Sequence, residues 1–116
     1  MKNLKDLRIY KLSIEIGELI WKEVQKWDNF EKWTIGKQLV ESADSISVNI
    51  MEGYYRNQKG DMRKFFQYAL ASAKESELWT WKSHNREIMR DELYKEIQVK
   101  YDDLLPQLVN FIKSIS

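Results

Sequence analysis

The amino-acid sequence predicts an all-α protein folded as an antiparallel up-down-up-down four-helix bundle. Three observations carry this reading. Four stretches place apolar residues at steps of three and four, the period of one buried helix face. No stretch shows the apolar–polar alternation of a half-buried strand. Only four Gly and one Pro punctuate 116 residues, too few for a protein made of many short strands and tight turns. Hydrophobic residues make up 43% of the chain and charged residues 32%, which suits a globular protein rather than a disordered one. At this length one hydrophobic core suffices, so residues 1–116 are expected to form a single domain.

In the first segment Ile9, Leu12, Ile16, Leu19 and Ile20 share a face, followed by Val24 and Trp27. This predicts an amphipathic helix from about Leu4 to Trp27, its apolar arc widened by Tyr10, Ile14 and Trp21. Residues 28–33 break the pattern and read as a loop. The second helix carries Ile35, Leu39, Ala43, Ile46, Ile50 and Tyr54, with Thr34 as its expected N-cap. Val48, Met51 and Tyr55 lie off that stripe. Gly36 and Gly53 each cost this helix about 1 kcal/mol relative to Ala, so Gly53 is expected to serve a close packing contact or the last turns.

A turn is expected around Asn57-Gln58-Lys59-Gly60-Asp61. The third helix then runs from Gln58 or Asp61 to about Arg86. Phe65, Phe66, Ala69, Leu70 and Ala73 face inward, and Ala69, Ser72, Ala73 and Ser76 form a small-residue seam that lets a neighbouring helix come close. The fourth stripe reads Leu93, Ile97, Tyr101, Leu104, Leu108, Phe111 and Ile115, with Pro106 predicting a kink.

Several function classes are excluded by residue content. With no Cys and a single His, thiolate zinc sites, disulfide frameworks, cysteine nucleophiles and multi-histidine metal centres have no ligands. The residue three before His84 is Trp81, so the Glu-x-x-His motif of di-metal bundles is missing. No Gly-rich phosphate loop or nucleophile elbow occurs. No catalytic residue, metal or cofactor is therefore assigned, and no enzymatic activity is expected. The longest charge-free runs, Phe65–Ala73 and Leu104–Ile112, span nine residues each, against roughly twenty for a spanning helix. No signal-peptide pattern follows the N-terminus, and a cytoplasmic location is expected.

What remains lies on the surface. Five Trp and six Tyr exceed what a slim bundle core holds. Trp79 and Trp81, two residues apart, point about 200° apart around a helix, so at least one faces outward. Surplus aromatics mark a subunit interface, the alternative being partial burial under loops. Net charge is +1, but residues 59–86 carry six basic and three acidic side chains. Arg56, Lys59, Arg63 and Lys64 cluster around the turn into the third helix, beside Tyr54 and Tyr55. On an oligomer this cluster would repeat as a positive ring able to contact phosphates; on a monomer it reads as a solvated helix end. Asn49, Glu52 and Arg56 line one side of the second helix, with Glu52 and Arg56 in the favourable i,i+4 order.

The run Ser45-Ile46-Ser47-Val48-Asn49-Ile50-Met51-Glu52-Gly53-Tyr54-Tyr55-Arg56 resembles the S-I-P-x-N-I-A-E-G-x-x-R signature of a bacterial four-helix-bundle family. Its members are encoded by intervening sequences in large-subunit rRNA genes and often carry a ribosomal-protein name. Phe65 to Glu75 is similar to the family's F-L-x-x-A-x-G-S-x-x-E, Leu7 to Lys11 to its opening L-x-V-W-x, and Gln38-Leu39 to its Gln-Leu pair. The resemblance spans essentially the whole chain. It implies the antiparallel bundle, assembly as a homopentamer, and kinship with the accessory protein of diversity-generating retroelements, a basic pentamer that binds nucleic acid. No enzymatic activity is established for the family. Asn49, Glu52, Gly53, Ser72 and Glu75 fall on its structural signature, where they would hold the second and third helices together.

Three departures bear on function. Val40 and Glu41 stand where two basic residues are usual, Ser47 replaces the Pro, and Ala71 replaces the Gly of the Gly-Ser pair. The Val40-Glu41 change and the near-zero net charge argue against a strongly basic nucleic-acid binder. The expected function is a non-enzymatic homo-oligomeric scaffold or accessory protein, pentameric by the resemblance, that engages RNA or DNA weakly through Arg56, Lys59, Arg63 and Lys64. The alternative is a protein-interaction module that docks a partner protein through exposed aromatics and binds no nucleic acid.

Overall fold

In a computed structural model describing residues 3–115, the chain forms four main helices and, among the described residues, no strand. A 3-10 turn, Leu4–Asp6, precedes α1 (Arg8–Val24). A short helical turn (Asn29–Glu31) and a π-helical turn (Lys32–Gly36) lead directly into α2 (Lys37–Tyr54). α3 (Lys59–Asn85) and α4 (Asp91–Ser114) complete the helical bundle. The molecule is elongated, 44 × 23 × 20 Å. Contacts close a ring from α1 to α2, α3, α4 and back to α1, the α2–α3 pair being the most extensive. No described helix is long and apolar enough to cross a membrane.

The four stripes meet along the bundle axis. Ile16, Ile20, Leu39, Ile46, Ile50, Phe66, Ile97, Leu104 and Leu108 are all fully buried. Each such side chain contributes about 1.5–3 kcal/mol through removal of apolar area from water, which is why this spacing dictates the packing. The small-residue seam lies inside as expected, with Ala69, Ala73 and Ser76 buried and Ser72 half-buried. Phe65 and Leu70, expected to face inward, are only half-buried, because they flank the Phe66–Ala69–Ala73 line rather than lie on it.

Two boundaries differ from expectation. α1 is shorter at both ends than Leu4–Trp27: the chain enters through the separate 3-10 turn, and Leu7 and Gln25 lie outside the helix. Residues 28–33 are not a loop. Asp28, rather than Thr34, caps the second helical run, its carboxylate accepting a hydrogen bond from the Glu31 amide at 3.1 Å. Thr34 instead donates its hydroxyl back to the Phe30 carbonyl at 2.6 Å, as a Thr inside a helical run does. α4 continues through Pro106, which sits on its exposed face.

α3 ends without glycine. Glu87 has φ 61°, in the left-handed region. The Ile88 amide donates to the Ser83 carbonyl at 2.9 Å and the Glu87 amide to the His84 carbonyl at 3.0 Å. This pair of bonds is a Schellman motif, which satisfies two carbonyls of the last turn. Ile88 packs on the core beside it.

Candidate nucleic-acid interface

The junction of α2 and α3 brings the basic cluster together at one end of the molecule. Gly53 is buried there, and a Cβ at that position would stand 2.8 and 2.9 Å from atoms of the Phe66 ring and 3.2 Å from Phe65 Cβ. The backbone of α2 thus lies directly against α3, and the chain turns from one helix to the other within Tyr55–Gln58. Tyr55 ends α2 as its C-cap and is 67% exposed.

Arg56 pairs with Glu52 at 2.8 Å, the expected i,i+4 ion pair. Its guanidinium carbon also lies 4.4 Å from the centre of the Phe65 ring, and Lys64 Nζ lies 5.4 Å from the same centre. Both are cation–π distances, so one half-buried ring orients two cations whose charges stay exposed. Arg63 is half-buried and donates to the Ile115 carbonyl at 2.6 Å. Lys59 is exposed in the first turn of α3. The acidic residues interspersed with the four cations are Glu52, already paired, and Asp61.

Two recesses flank the Tyr54–Tyr55 pair, whose rings meet edge-on at 5.1 Å and 84°. One, of about 740 Å³, includes Tyr55, Arg56, Asn57, Met62 and Phe111 in its lining. The other, of about 500 Å³, is lined by Asn3, Leu4, Lys5 and Tyr10 together with the same two tyrosines.

The signature residues lie on α2 and α3. Asn49 donates to the Ser45 carbonyl at 2.9 Å, and Glu75, which is exposed, accepts from the Trp79 indole at 3.2 Å. The Asn49 bond lies within α2 and the Glu75 bond within α3, while Glu52 pairs with Arg56 in the turn just beyond α2. Of the five, Gly53 makes the close approach between α2 and α3 described above, while Ser72 lies half-buried on α3.

The far end of α2 holds an apolar groove. Trp21 (52% exposed) and Trp33 (70% exposed) line a cavity of about 330 Å³ with Val24, Gly36 and Val40. The π-helical turn shapes it: a Cβ on Gly36 would stand 2.8 Å from Val24 Cγ1 and 3.1 Å from the Glu31 carbonyl, so only glycine lets this turn lie on α1. Trp81 is also outward-facing, while Trp79 is half-buried and Trp27 buried. The π turn and the cap at Asp28 escaped the sequence reading. The Asp28-x-x-Glu31 spacing is a capping-box pattern that could have located the cap.

Among the described residues no group of three or more His, Cys, Asp or Glu side chains gathers as a metal site would require. The single His84 lies in the last turn of α3, hydrogen-bonded to Asp91 and stacked on Tyr94 at 4.1 Å.

No curated protein matches the chain. Its fold is similar to that of a Bacteroides thetaiotaomicron protein of unknown function from the S23 ribosomal protein family. The two share 25% identity and a TM-score of 0.84 over 91% of this chain and 96% of that one. Residues 5–110 match the model of the 23S rRNA-intervening sequence protein family, and the chain belongs to that family.

Proposed function

We propose that this protein is a non-enzymatic homo-oligomeric scaffold or accessory protein of the cytoplasm. It contacts RNA or DNA weakly through the end of the molecule that bears Arg56, Lys59, Arg63 and Lys64. The observation that carries the oligomer is the exposure of Trp21, Trp33 and Trp81 on a small bundle whose core is already filled. Water-exposed indoles in such number gain most from burial against another copy. Five copies per assembly is the stoichiometry that the family resemblance implies.

An up-down-up-down course through a single domain fits the contacts at the helix ends. Arg63, near the start of α3, reaches Ile115 just beyond α4, and His84 at the end of α3 meets Asp91 at the start of α4. Copies arranged around an axis would repeat the four cations, and neutralised phosphates would then add across the ring.

Light scattering on the purified chain tests the assembly, and replacing the four cations by Gln tests the contact. Lost nucleic-acid binding with the oligomer intact supports the reading; binding that survives all four substitutions overturns it. A second reading, docking of a partner protein, draws on the Trp21–Trp33 groove. It lies at the opposite end of α2 from the cations, about 27 Å away at 1.5 Å per residue. A chain that stays monomeric and binds no nucleic acid favours this alternative.

A further inference from the structure

We infer that the α2–α3 end of the molecule recognises unpaired nucleotides, with Tyr55 as a stacking platform for a base and the neighbouring cations holding the phosphates. The inference rests on the nucleic-acid contact proposed above and narrows its ligand to single strands.

Three features converge on Tyr55. The residue is 67% exposed although it stands at the end of a helix with a buried stripe. It borders a recess on either side, about 740 and 500 Å³, both within the size range of small-ligand sites. Cations rim both recesses: Arg56 the larger, with Lys59 three residues on in the chain, and Lys5 the smaller. Asn57, in the larger recess, adds an amide able to donate to and accept from a base edge.

The chemistry of this combination selects single strands. A duplex shows a protein its phosphates and groove edges, while the base faces stay hidden in the stack. An exposed aromatic ring beside cations matches what an unpaired nucleotide offers, a free π-face next to a phosphate, and such stacking tolerates any base. Glu52 removes part of the local positive charge through its pair with Arg56. Electrostatics alone would therefore bind weakly, and the ring supplies what charge does not.

The test compares three fluorescent ligands of equal charge by anisotropy at low salt: a mixed-sequence single strand of about 12 nucleotides, within known site sizes, a hairpin duplex, and an abasic strand. The full chain is used as wild type, Tyr55→Ala and Tyr55→Phe, with helix content checked by circular dichroism. Wild type is expected to prefer the single strand over the abasic strand by about tenfold, the scale of one stacked base. Tyr55→Ala should lose that preference and Tyr55→Phe should keep it. Equal binding of all three ligands, or a Tyr55→Ala variant indistinguishable from wild type, overturns the inference and leaves the phosphate contact standing. No binding of any ligand overturns the inference and removes the phosphate contact as well.

Discussion

Phe66 rests on the bare backbone of Gly53: a Cβ there would come within 2.8 Å of its ring. Phe66 is fully buried, and the atoms approached are ring carbons held on all sides. Gly53→Ala should therefore destabilise the protein. Overpacking costs typically 1–3 kcal/mol, and the gain in helix propensity offsets about 1 kcal/mol of it. Gly17→Ala makes the contrast. Its new Cβ would meet only Asp44 Oδ1, at 3.1 Å, the tip of an exposed side chain that can swing aside. Urea denaturation should show a lowered midpoint for Gly53→Ala and an unchanged or raised one for Gly17→Ala. Equal shifts in both would disprove the steric account of Gly53.

Glu87 occupies the one left-handed position among the non-glycine residues described. A side chain there costs roughly 1–2 kcal/mol, and Glu87 is exposed. Replacing it by Gly removes the Cβ penalty but adds unfolded-state entropy of about 0.4–1 kcal/mol. Glu87→Gly is expected to stabilise by up to about 1 kcal/mol, and Glu87→Val to destabilise. Thermal melts of the two variants decide the matter, since stabilisation by Val would exclude a strained cap.

How much of this could be read in advance follows from the kind of interaction involved. The helical stripes were legible because burial of Ile16, Leu39, Ile46 and Leu104 depends only on period. The close contact at Gly53 was legible because glycine within a helical stripe has few uses. The Glu52–Arg56 pair was likewise set by local spacing. The π turn was not, since it arises from Gly36 lying against Val24, two residues brought together only by folding. Nor was the cap, because Thr34 is by type a capping residue as Asp28 is, and the Asp28-x-x-Glu31 spacing was the one sequence signal that favoured Asp28. At the candidate interface the cations and Tyr55 were visible as a cluster in sequence. That Phe65 would orient Arg56 and Lys64 depends on how α2 meets α3.

The contact between His84 and Asp91 ties the end of α3 to the start of α4. The hydrogen bond from His84, and then its charge, holds the Asp91 carboxyl below its ordinary value of 3.8. A carboxylate lowered on folding adds stability above the unfolded pKa, and that stability is lost as pH falls through the folded value. Carbon-detected NMR titration should place the Asp91 midpoint below 3.8 in the wild type and closer to it in His84→Ala. Identical midpoints would show that His84 does not act on Asp91.

Tyr101 sets the opposite limit of pH. It is fully buried between α3 and α4, its hydroxyl donating to Ser76 Oγ at 2.9 Å and lying 3.2 Å from Thr80 Oγ1. Ser76 and Thr80 in turn bond to the carbonyls of Ala73 and Ser76, at 3.0 and 2.8 Å. Burial pushes the Tyr101 phenol up to about 12, against the partial opposition of its two hydroxyl partners. For a group raised on folding, the stabilisation is complete below the unfolded value near 10 and is lost as pH climbs toward 12, because the unfolded chain releases its proton first. At 1.36 kcal/mol per unit the loss over that window is about 3 kcal/mol. Tyr101→Phe should be less stable near neutral pH by about 1 kcal/mol, the worth of a typical hydrogen bond, with Ser76 and Thr80 keeping their carbonyl partners. Its stability should then fall less steeply above pH 10, so the two curves converge or cross. Parallel curves from pH 7 to 12 would mean that ionisation of this phenol does not drive alkaline unfolding.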